Sequence, residues 1–307
     1  MTFLNQQKID FSYPILTMGT FDGLHRGHQK VLKKLFEVSQ NKGEAVVLSY
    51  YHHPLETIHK KTFPYLLLER DLKESCLKKM GIKNVLFLNF SKKIASMSAE
   101  NFLKRILIDE IGMKEIVVGY DTHFGKNREG NLEFLKKMRR RFNYKVHFVK
   151  PLKHKNVIIS SSLIRDLVRE GNIQKTNRLL GRNYSMLGKV IEGQKIGNKI
   201  GFPTINIQPK DKYKLIPGLG VYITVVEVEN NKYRAVTNIG YSPTLKKTNI
   251  KEIETYIINF SANLYDKEIK LNFYKKIREE IQFNHKNQLI AAIRKDVKTT
   301  QNYFDNC

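Results

Sequence analysis

Through about its first 150 residues the chain alternates short β-rich apolar runs with stretches of helical periodicity, and this alternation argues for a parallel sheet flanked by helices. The runs predict strands over Pro14–Thr20, Ala45–Tyr51, Asn84–Phe90, Glu115–Gly119 and Tyr144–Val149. Between them, Val31, Leu32, Leu35 and Phe36 recur at helical spacing just after a glycine-containing turn, and Phe102, Leu103, Ile106 and Leu107 do the same. The plan is a doubly wound α/β sheet, which binds its ligands beyond the C-terminal ends of its strands.

Beyond this region, Ser160 or Ser161 can cap a helix with the buried stripe Leu163, Ile164, Leu167 and Val168, which Gly171 is placed to end. A short helix through Leu179 and Leu180 leads to Gly181. The character then changes, so the boundary is expected near Arg182, giving modules 1–181 and 182–307. VYITVVEVE and KYRAVTNIG flank Asn230 and Asn231, a pair suited to a hairpin turn, and EIETYIINF and EIKLNFY read as further strands. Helical spacing returns through Leu289, Ile290, Ile293 and Val297. The second module is therefore expected to be a small antiparallel β-barrel or sandwich closed by a C-terminal helix.

A length of 307 residues fits about two domains. With 41% hydrophobic and 27% charged residues the composition excludes a disordered or collagenous chain. Cys76 and Cys307 lack metal-ligand spacing and are too few for a disulfide framework, which suits a reducing compartment; the expected location is the cytoplasm. The N-terminal stretch MTFLNQQKIDFSYP is too polar for a signal peptide or a membrane span. Lys+Arg 54 against Asp+Glu 29 leaves a net charge of +25, so polyanions are natural partners, though charge alone does not choose among nucleic acid, phosphorylated metabolites and anionic membrane. The densest basic run, Lys136, Lys137, Arg139, Arg140 and Arg141, reads as the solvated face of an amphipathic helix with Phe134, Leu135, Met138 and Phe142.

The most informative segment is Gly19-Thr20-Phe21-Asp22-Gly23-Leu24-His25-Arg26-Gly27-His28, where the first strand passes into the first helix. Glycines allow close approach to a ligand, and the N–H groups at a helix start favour phosphate. His25 and His28 lie three residues apart, so both imidazoles can meet one phosphate group. This H-x-G-H signature resembles the nucleotidylyltransferase superfamily. The fuller string is similar to the FMN adenylyltransferase module of bacterial bifunctional riboflavin kinase/FAD synthetases. Ile159-Ser160-Ser161-Ser162-Leu163-Ile164-Arg165 resembles that family's I-S-S-T-x-I-R, and Val118-Gly119-Tyr120-Asp121-Thr122-His123-Phe124-Gly125 its V-G-x-D-F-x-F-G, with Thr122 in place of an aromatic. His52, His53 and Pro54 resemble its P-H-P loop less closely, and His123 by itself reads as a surface or structural residue. A metal site built from the histidines is weak, because no H-E-x-x-H or C-x-x-C occurs.

In the second module Gly188, Gly193, Gly197 and Gly201 punctuate LGKVIEGQKIGNKIGFPTIN. Gln194 after Gly193 excludes a Walker loop. The string resembles the riboflavin kinase signature G-x-x-x-G-x-x-x-G-F-P-T-A-N, with Ile205 for alanine and Asn198 where arginine is usual; Lys199 is a possible substitute for that contact. Gly220-Val221-Tyr222 and Asn238-Ile239-Gly240-Tyr241-Ser242-Pro243-Thr244 continue the resemblance, and Glu254 aligns with the glutamate of E-x-H-I-x-D-F. Period-two alternation puts Glu254 on one face with Tyr256, Ile258 and Phe260, an apolar setting that is costly for a carboxylate unless it is paired or working. Tyr256, Asn259 and Asp266 depart from the family pattern, whereas Arg278, Glu280 and Phe283 resemble R-x-E-x-K-F, with Gln282 for its lysine.

The resemblance implies riboflavin phosphorylation by ATP to FMN, followed by adenylylation of FMN to FAD with release of pyrophosphate. It implies His25, His28 and Arg165 as catalytic groups for adenylylation, and Gly19, Phe21, Asp22, Gly23, Gly27, Ser161 and Ser162 as its nucleotide and phosphate contacts. Asp121 and Phe124 would contact flavin there, and Arg278 in the kinase module. For the kinase it implies Glu254 as general base, Gly193, Gly197 and Gly201 as the phosphate loop, and Thr204 and Asn206 as ligands of Mg²⁺. Riboflavin, FMN, FAD and ATP are the expected partners, with no membrane and no nucleic acid. A single-activity adenylyltransferase with a degenerate barrel, and a basic RNA-binding protein, are the competing readings.

Overall fold

The computed structural model describes residues 10–54, 56, 65–193, 197–241, 251–283 and 285–306. Contacts divide the chain into two compact units, Met1–Pro64 with Arg70–Ser160, and Tyr65–Glu69 with Ser161–Cys307. The helices of residues 161–180 thus group with the C-terminal unit.

The first unit is a five-stranded parallel sheet of β1 (Pro14–Met18), β2 (Glu44–Tyr50), β3 (Asn84–Leu88), β4 (Glu115–Gly119) and β5 (Lys145–Val149), in the order β3-β2-β1-β4-β5. Central β1 and β4 are buried at every position, as strands covered on both faces must be, which is why they read as unbroken apolar runs. Each of the five expected strands is present, Glu115–Gly119 with both ends as predicted and the others with no end more than two residues away. Helix Arg26–Ser39 buries Val31, Leu32, Leu35 and Val38. The helix expected through Phe102–Leu107 begins as an α-helix at Ala99–Phe102 and continues as a π-helix over Leu103–Glu110, still burying Leu103, Ile106 and Leu107. A small antiparallel pair, β6 (Lys153–His154) and β7 (Val157–Ile158), follows the sheet. In the basic run, Phe134 and Phe142 pack against the core while exposed Lys136 and Arg141 pair with Glu133 and Glu100. No exposed aromatic interleaves these charges, which fits the solvated-face reading.

The second unit is a closed antiparallel barrel of β8 (Tyr184–Ile191), β9 (Thr204–Pro209), β10 (Gly220–Val228), β11 (Asn231–Tyr241), β12 (Lys251–Ile257) and β13 (Glu268–Arg278), in the order β10-β11-β12-β9-β8-β13. The hairpin between β10 and β11 turns on Glu229 and Asn230, both left-handed, with Val228 facing Asn231. The expected turn at Asn230-Asn231 is therefore corrected by one residue, because Asn231 already pairs in the ladder. Helix Ser161–Arg169 ends at left-handed Gly171 and helix Ile173–Leu180 at left-handed Gly181, as expected. Helix Lys286–Asp305 closes the chain, with Val297 packed against Val221, Val236 and Ile258.

Segment Tyr65–Glu69 belongs to this unit through a buried ion pair. Lys214 Nζ donates to Glu69 Oε2 at 2.9 Å, to Leu67 O at 2.8 Å and to Ser185 O at 2.6 Å, while Glu69 Oε1 accepts from Leu187 N at 2.9 Å. Removing one member of such a pair strands the other charge in the interior. Lys214→Met should destabilise this unit by about 3–5 kcal/mol, and adding Glu69→Gln should recover part of the loss, both read from denaturant unfolding of the barrel. A loss below about 1 kcal/mol in the single variant would contradict this.

Candidate active sites

In the first unit the strand order reverses between β1 and β4, which makes the crevice at their C-terminal ends the natural ligand position. The backbone leaving β1 runs through three left-handed residues, Phe21 (φ 47°), Gly23 (φ 82°) and Leu24 (φ 40°), before helix Arg26–Ser39 begins. Gly19 N donates to Leu48 O at 3.1 Å and Leu24 N to Phe21 O at 3.1 Å. Phe21 and Asp22 are buried.

His25 caps the helix: its Nδ1 accepts from the His28 backbone N–H at 3.3 Å. An accepting Nδ1 puts the proton of the neutral ring on Nε2, the tautomer able to donate to a phosphate oxygen. The His25 and His28 rings stack with centroids 3.7 Å apart and an interplanar angle of 16°, and the edge of Phe21 meets His28 at 5.3 Å. Gly27 makes this possible, since a Cβ there would lie 3.0 Å from two atoms of the His25 ring. The structure therefore brings Gly19, Phe21, Asp22, Gly23, His25, Gly27 and His28 into one turn.

At the end of β4, Asp121 is exposed, and Thr122 Oγ1 accepts from Gly119 N at 3.1 Å. Thr122 thus serves the loop itself, where the family pattern carries an aromatic. Phe124 is 4% exposed, with its ring against Phe102 and Phe134 and over Gly130, so it is committed to the core rather than to open space. His123 is exposed and held by Asp121 O and Arg128, as suits a surface role. His52 is exposed beside Glu56. Arg165 and the serines at the start of helix Ser161–Arg169 fall in the second unit; Arg165 is 7% exposed and its Nε donates to Tyr65 O at 2.9 Å.

The barrel aligns its candidates by strand register. Glu254 faces Asn206 on one side and Asn238 on the other, Tyr256 faces Thr204 and Val236, and Val221 faces Asn238. Residues opposite one another share a face of the sheet, so one surface carries Thr204, Asn206, Asn238, Glu254 and Tyr256 together. Thr204, Asn238, Glu254 and Tyr256 line a cavity of about 160 Å³ with Arg278 and Glu280, and Leu289, Ile293 and Asp296 of the C-terminal helix complete its wall. Phe260, expected on the same face, instead meets Tyr233 edge-on at 4.7 Å.

Close approach explains the glycines of this segment. A side chain at Gly193 would collide with the Asn206 amide, and one at Gly197 with the Phe202 carbonyl, with Thr204 Oγ1 only 3.1 Å away. Gly201 takes φ 84° and faces open space. Gln194, Ser242, Pro243 and Thr244 lie outside the described residues, as do the side chains of Asn198 and Lys199.

Burial pushes the Glu254 carboxyl above its ordinary value, and the negative charges of Glu252 and Glu280 push it further. Burial also raises Glu280, against the opposing pull of its hydrogen bond with Asn238 and of Arg278. Arg278 is held by Asp296, with Nε at 3.2 Å from each carboxylate oxygen and Nη2 at 2.8 Å from Oδ2. Asp296 was missed in the sequence, although it follows Leu289 and Ile293 on the buried helix stripe, where a carboxylate signals a partner. Lys73 was missed too: one lysine among many, it is buried with its Nζ 2.8 Å from Thr20 O. Among the described residues no group of three or more His, Cys, Asp or Glu could hold a metal ion.

A turn bearing two stacked histidines in a doubly wound unit, on one chain with a barrel that sets Asn206 opposite a half-buried carboxylate of raised pKa, fits a nucleotide-dependent group transferase. Family comparison matches residues 8–163 to FAD synthetase and residues 180–304 to riboflavin kinase. Bifunctional riboflavin kinase/FMN adenylyltransferases are similar along nearly their whole length. The protein of Buchnera aphidicola subsp. Schizaphis graminum is 36% identical over 98% of this chain and 97% of its own, that of Bacillus subtilis 32% over 95% and 93%, and that of Escherichia coli K12 30% over 94% and 92%. A crystal structure described as a macrolide-efflux protein from Streptococcus pneumoniae superposes with a TM-score of 0.86 at 28% identity, covering 95% of this chain and 94% of that one. Among the described residues no helix is long and apolar enough to cross a membrane. The chain belongs to the bifunctional riboflavin kinase/FMN adenylyltransferase family. It is a transferase with two activities, one for each matched segment.

If Glu254 works as a base it must be ionised, so riboflavin phosphorylation should fall as the pH drops through a carboxyl pKa raised above the ordinary range. Glu280→Gln removes one of the charges that raises it and should move this acid limb to lower pH in the profile of FMN formation. A limb that stays in place would show that Glu254 does not govern it.

Proposed function

We propose that residues 182–307 phosphorylate riboflavin and that residues 1–181 adenylylate the FMN so formed. In the kinase reaction Glu254 removes the proton of the riboflavin 5′-hydroxyl, whose oxygen attacks the γ-phosphorus of ATP as ADP departs. Tight packing of Gly193 against Asn206, with Gly197 beside Thr204, supports a phosphate loop at residues 193–201, and the neutral oxygens of Thr204 and Asn206 suit a hard cation. These two residues would hold Mg²⁺, which when bound offsets charge on the transferring phosphoryl group. Arg278 pairs with Asp296 and lines the same cavity as Glu254, which supports its assignment to the flavin. The observation that carries the assignment is the facing of Glu254 and Asn206 across β12 and β9, which supports reading the one as base and the other as cation ligand.

In the adenylylation reaction the FMN phosphate itself attacks the α-phosphorus of a second ATP, and pyrophosphate leaves. No protein nucleophile is needed. His25 and His28 stabilise charge on the α-phosphate, and Gly19, Phe21, Asp22, Gly23 and Gly27 shape the turn around it; Arg165, Ser161 and Ser162 are assigned to the β- and γ-phosphates on the motif resemblance alone. Asp121 is assigned to the flavin side of this site, with Phe124 setting the loop that bears it. Two cysteines without pairing or metal-ligand spacing suit a reducing compartment, and the cytoplasm is the proposed location.

Chromatographic separation of flavins after incubation with riboflavin, ATP and Mg²⁺ tests both steps and excludes or supports a degenerate barrel. Glu254→Ala should abolish FMN formation while FAD still forms from supplied FMN. His28→Ala should do the converse, lowering FAD formation by about 10²–10³-fold with FMN formation intact. Unchanged FAD formation in His28→Ala would place the adenylylation chemistry elsewhere.

A further inference from the structure

Left-handed backbone at residues other than glycine persists only where the surroundings over-determine it. Phe21 and Leu24 are two such positions within four residues, and the turn between them sets the entry into the helix that His25 caps. Three groups from outside the turn fasten it. Leu48 O accepts from Gly19 N, Gln29 Nε2 donates to Leu24 O at 2.9 Å, and Lys73 Nζ donates to Thr20 O at 2.8 Å. Ser49 at the end of β2 supplies a neutral hydroxyl, with Oγ 3.5 Å from Lys73 Nζ and 3.4 Å from Thr20 O.

A lysine in this position is unusual. Its side chain comes from helix Arg70–Lys79 and is 9% exposed, while lysine ammonium groups are rarely buried unless paired. Two charged groups act on it: Asp22, itself 2% exposed in the same turn, favours the ammonium form, and Arg70 on its own helix opposes it. We propose that Lys73 is a positioning residue for FMN adenylylation, whose ammonium pins the Thr20 carbonyl and balances Asp22, and so holds the left-handed turn that presents His25 and His28. The inference rests on reading residues 19–28 as the adenylylation site.

Burial lowers Lys73 to about 8, against the upward pull of Asp22, so its ammonium is present below that pH and lost above it. FAD formation should therefore decline as the pH rises through about 8 while FMN formation, carried by the other unit, does not follow the same limb. The test uses the full chain and the variants Lys73→Met, Lys73→Arg and His28→Ala. FAD formation from supplied FMN and ATP is followed from pH about 6 to about 10, with riboflavin phosphorylation measured on each preparation.

Lys73→Met should lower kcat/KM for adenylylation by about 10- to 100-fold near neutral pH and remove the alkaline limb, with phosphorylation unchanged. Lys73→Arg keeps the charge, so it should restore part of the rate and move the limb beyond the range tested. If Lys73→Met retains both rate and limb while His28→Ala has lost FAD formation, Lys73 has no such role. Retention of FAD formation in His28→Ala overturns the reading of the turn and this inference with it. Should Lys73→Met lose both activities through misfolding, Lys73→Arg decides: a limb unmoved from that of the parent protein refutes the proposal.

Discussion

Backbone pairing of the six-residue strand β9 with β12 on one side and β8 on the other closes the barrel, and the proposed kinase chemistry depends on the same hydrogen bonds. Without β9 the remaining strands would present two open edges. The pleat that lets β9 bridge them also sends Thr204 and Asn206 to one face and Ile205 and Ile207 to the other. A slip of one residue against β12 would turn Glu254 away from Asn206. On the opposite face Thr224, Thr237 and Thr255, all fully buried, link their hydroxyls at 2.8 and 2.9 Å and hold the register of β10, β11 and β12, the strands against which β9 is read. Moving any of these strands by one residue would bury hydroxyls without partners, a loss that accumulates along the row.

The parallel sheet separates support from chemistry by strand end. At the N-terminal end of β4, Glu115 is 1% exposed and accepts from Tyr13 Oη at 2.9 Å and pairs with His147 Nε2 at 2.6 Å. Burial alone would raise this carboxyl, but those two hydrogen bonds outweigh it and hold it below the ordinary carboxylate range. The group is thus ionised and paired, tying β4 to β5 and to the residue before β1. At the C-terminal end of the same strands the backbone is released into Gly19–His28 and Gly119–Asp121, where loops rather than the ladder satisfy the polar groups. Stability at one end permits strained turns at the other.

The strands were legible in the sequence because short runs rich in β-branched and apolar residues are bounded by turn residues, as in β1, β4 and β10. The π-helical turn over Leu103–Glu110 was not legible, since its apolar spacing still satisfies a helical pattern. Nor was the hairpin register: Asn230-Asn231 and Glu229-Asn230 are both plausible turns, and only pairing to β11 decides between them. Thr204, Glu254 and Arg278 line one cavity and Asn206 faces Glu254, an arrangement set by strand register, which a motif does not display. Phe124 shows the limit of a motif, which marks a position without revealing that its ring points inward. Lys73, Lys214 and Glu69 belong to a further class, charged residues whose burial depends on contacts distant in sequence, hidden in a chain with 54 lysines and arginines.

The two proposed reactions make opposite electrostatic demands. Phosphorylating a neutral hydroxyl requires a base, and the carboxyl proposed for it, Glu254, is raised by burial and then by the charges of Glu252 and Glu280, against the +25 net charge of the chain. Adenylylating FMN requires none, because the nucleophile arrives as a phosphate already ionised; there the need is for donors and positive charge, the part proposed for the imidazoles of His25 and His28 and the ammonium of Lys73. The excess positive charge still serves both sites by drawing polyanionic nucleotide toward the surface, a long-range effect that ion pairs between exposed side chains do little to diminish. The two matched segments thus answer to nucleophiles of different charge, a neutral hydroxyl in one proposed reaction and an ionised phosphate in the other.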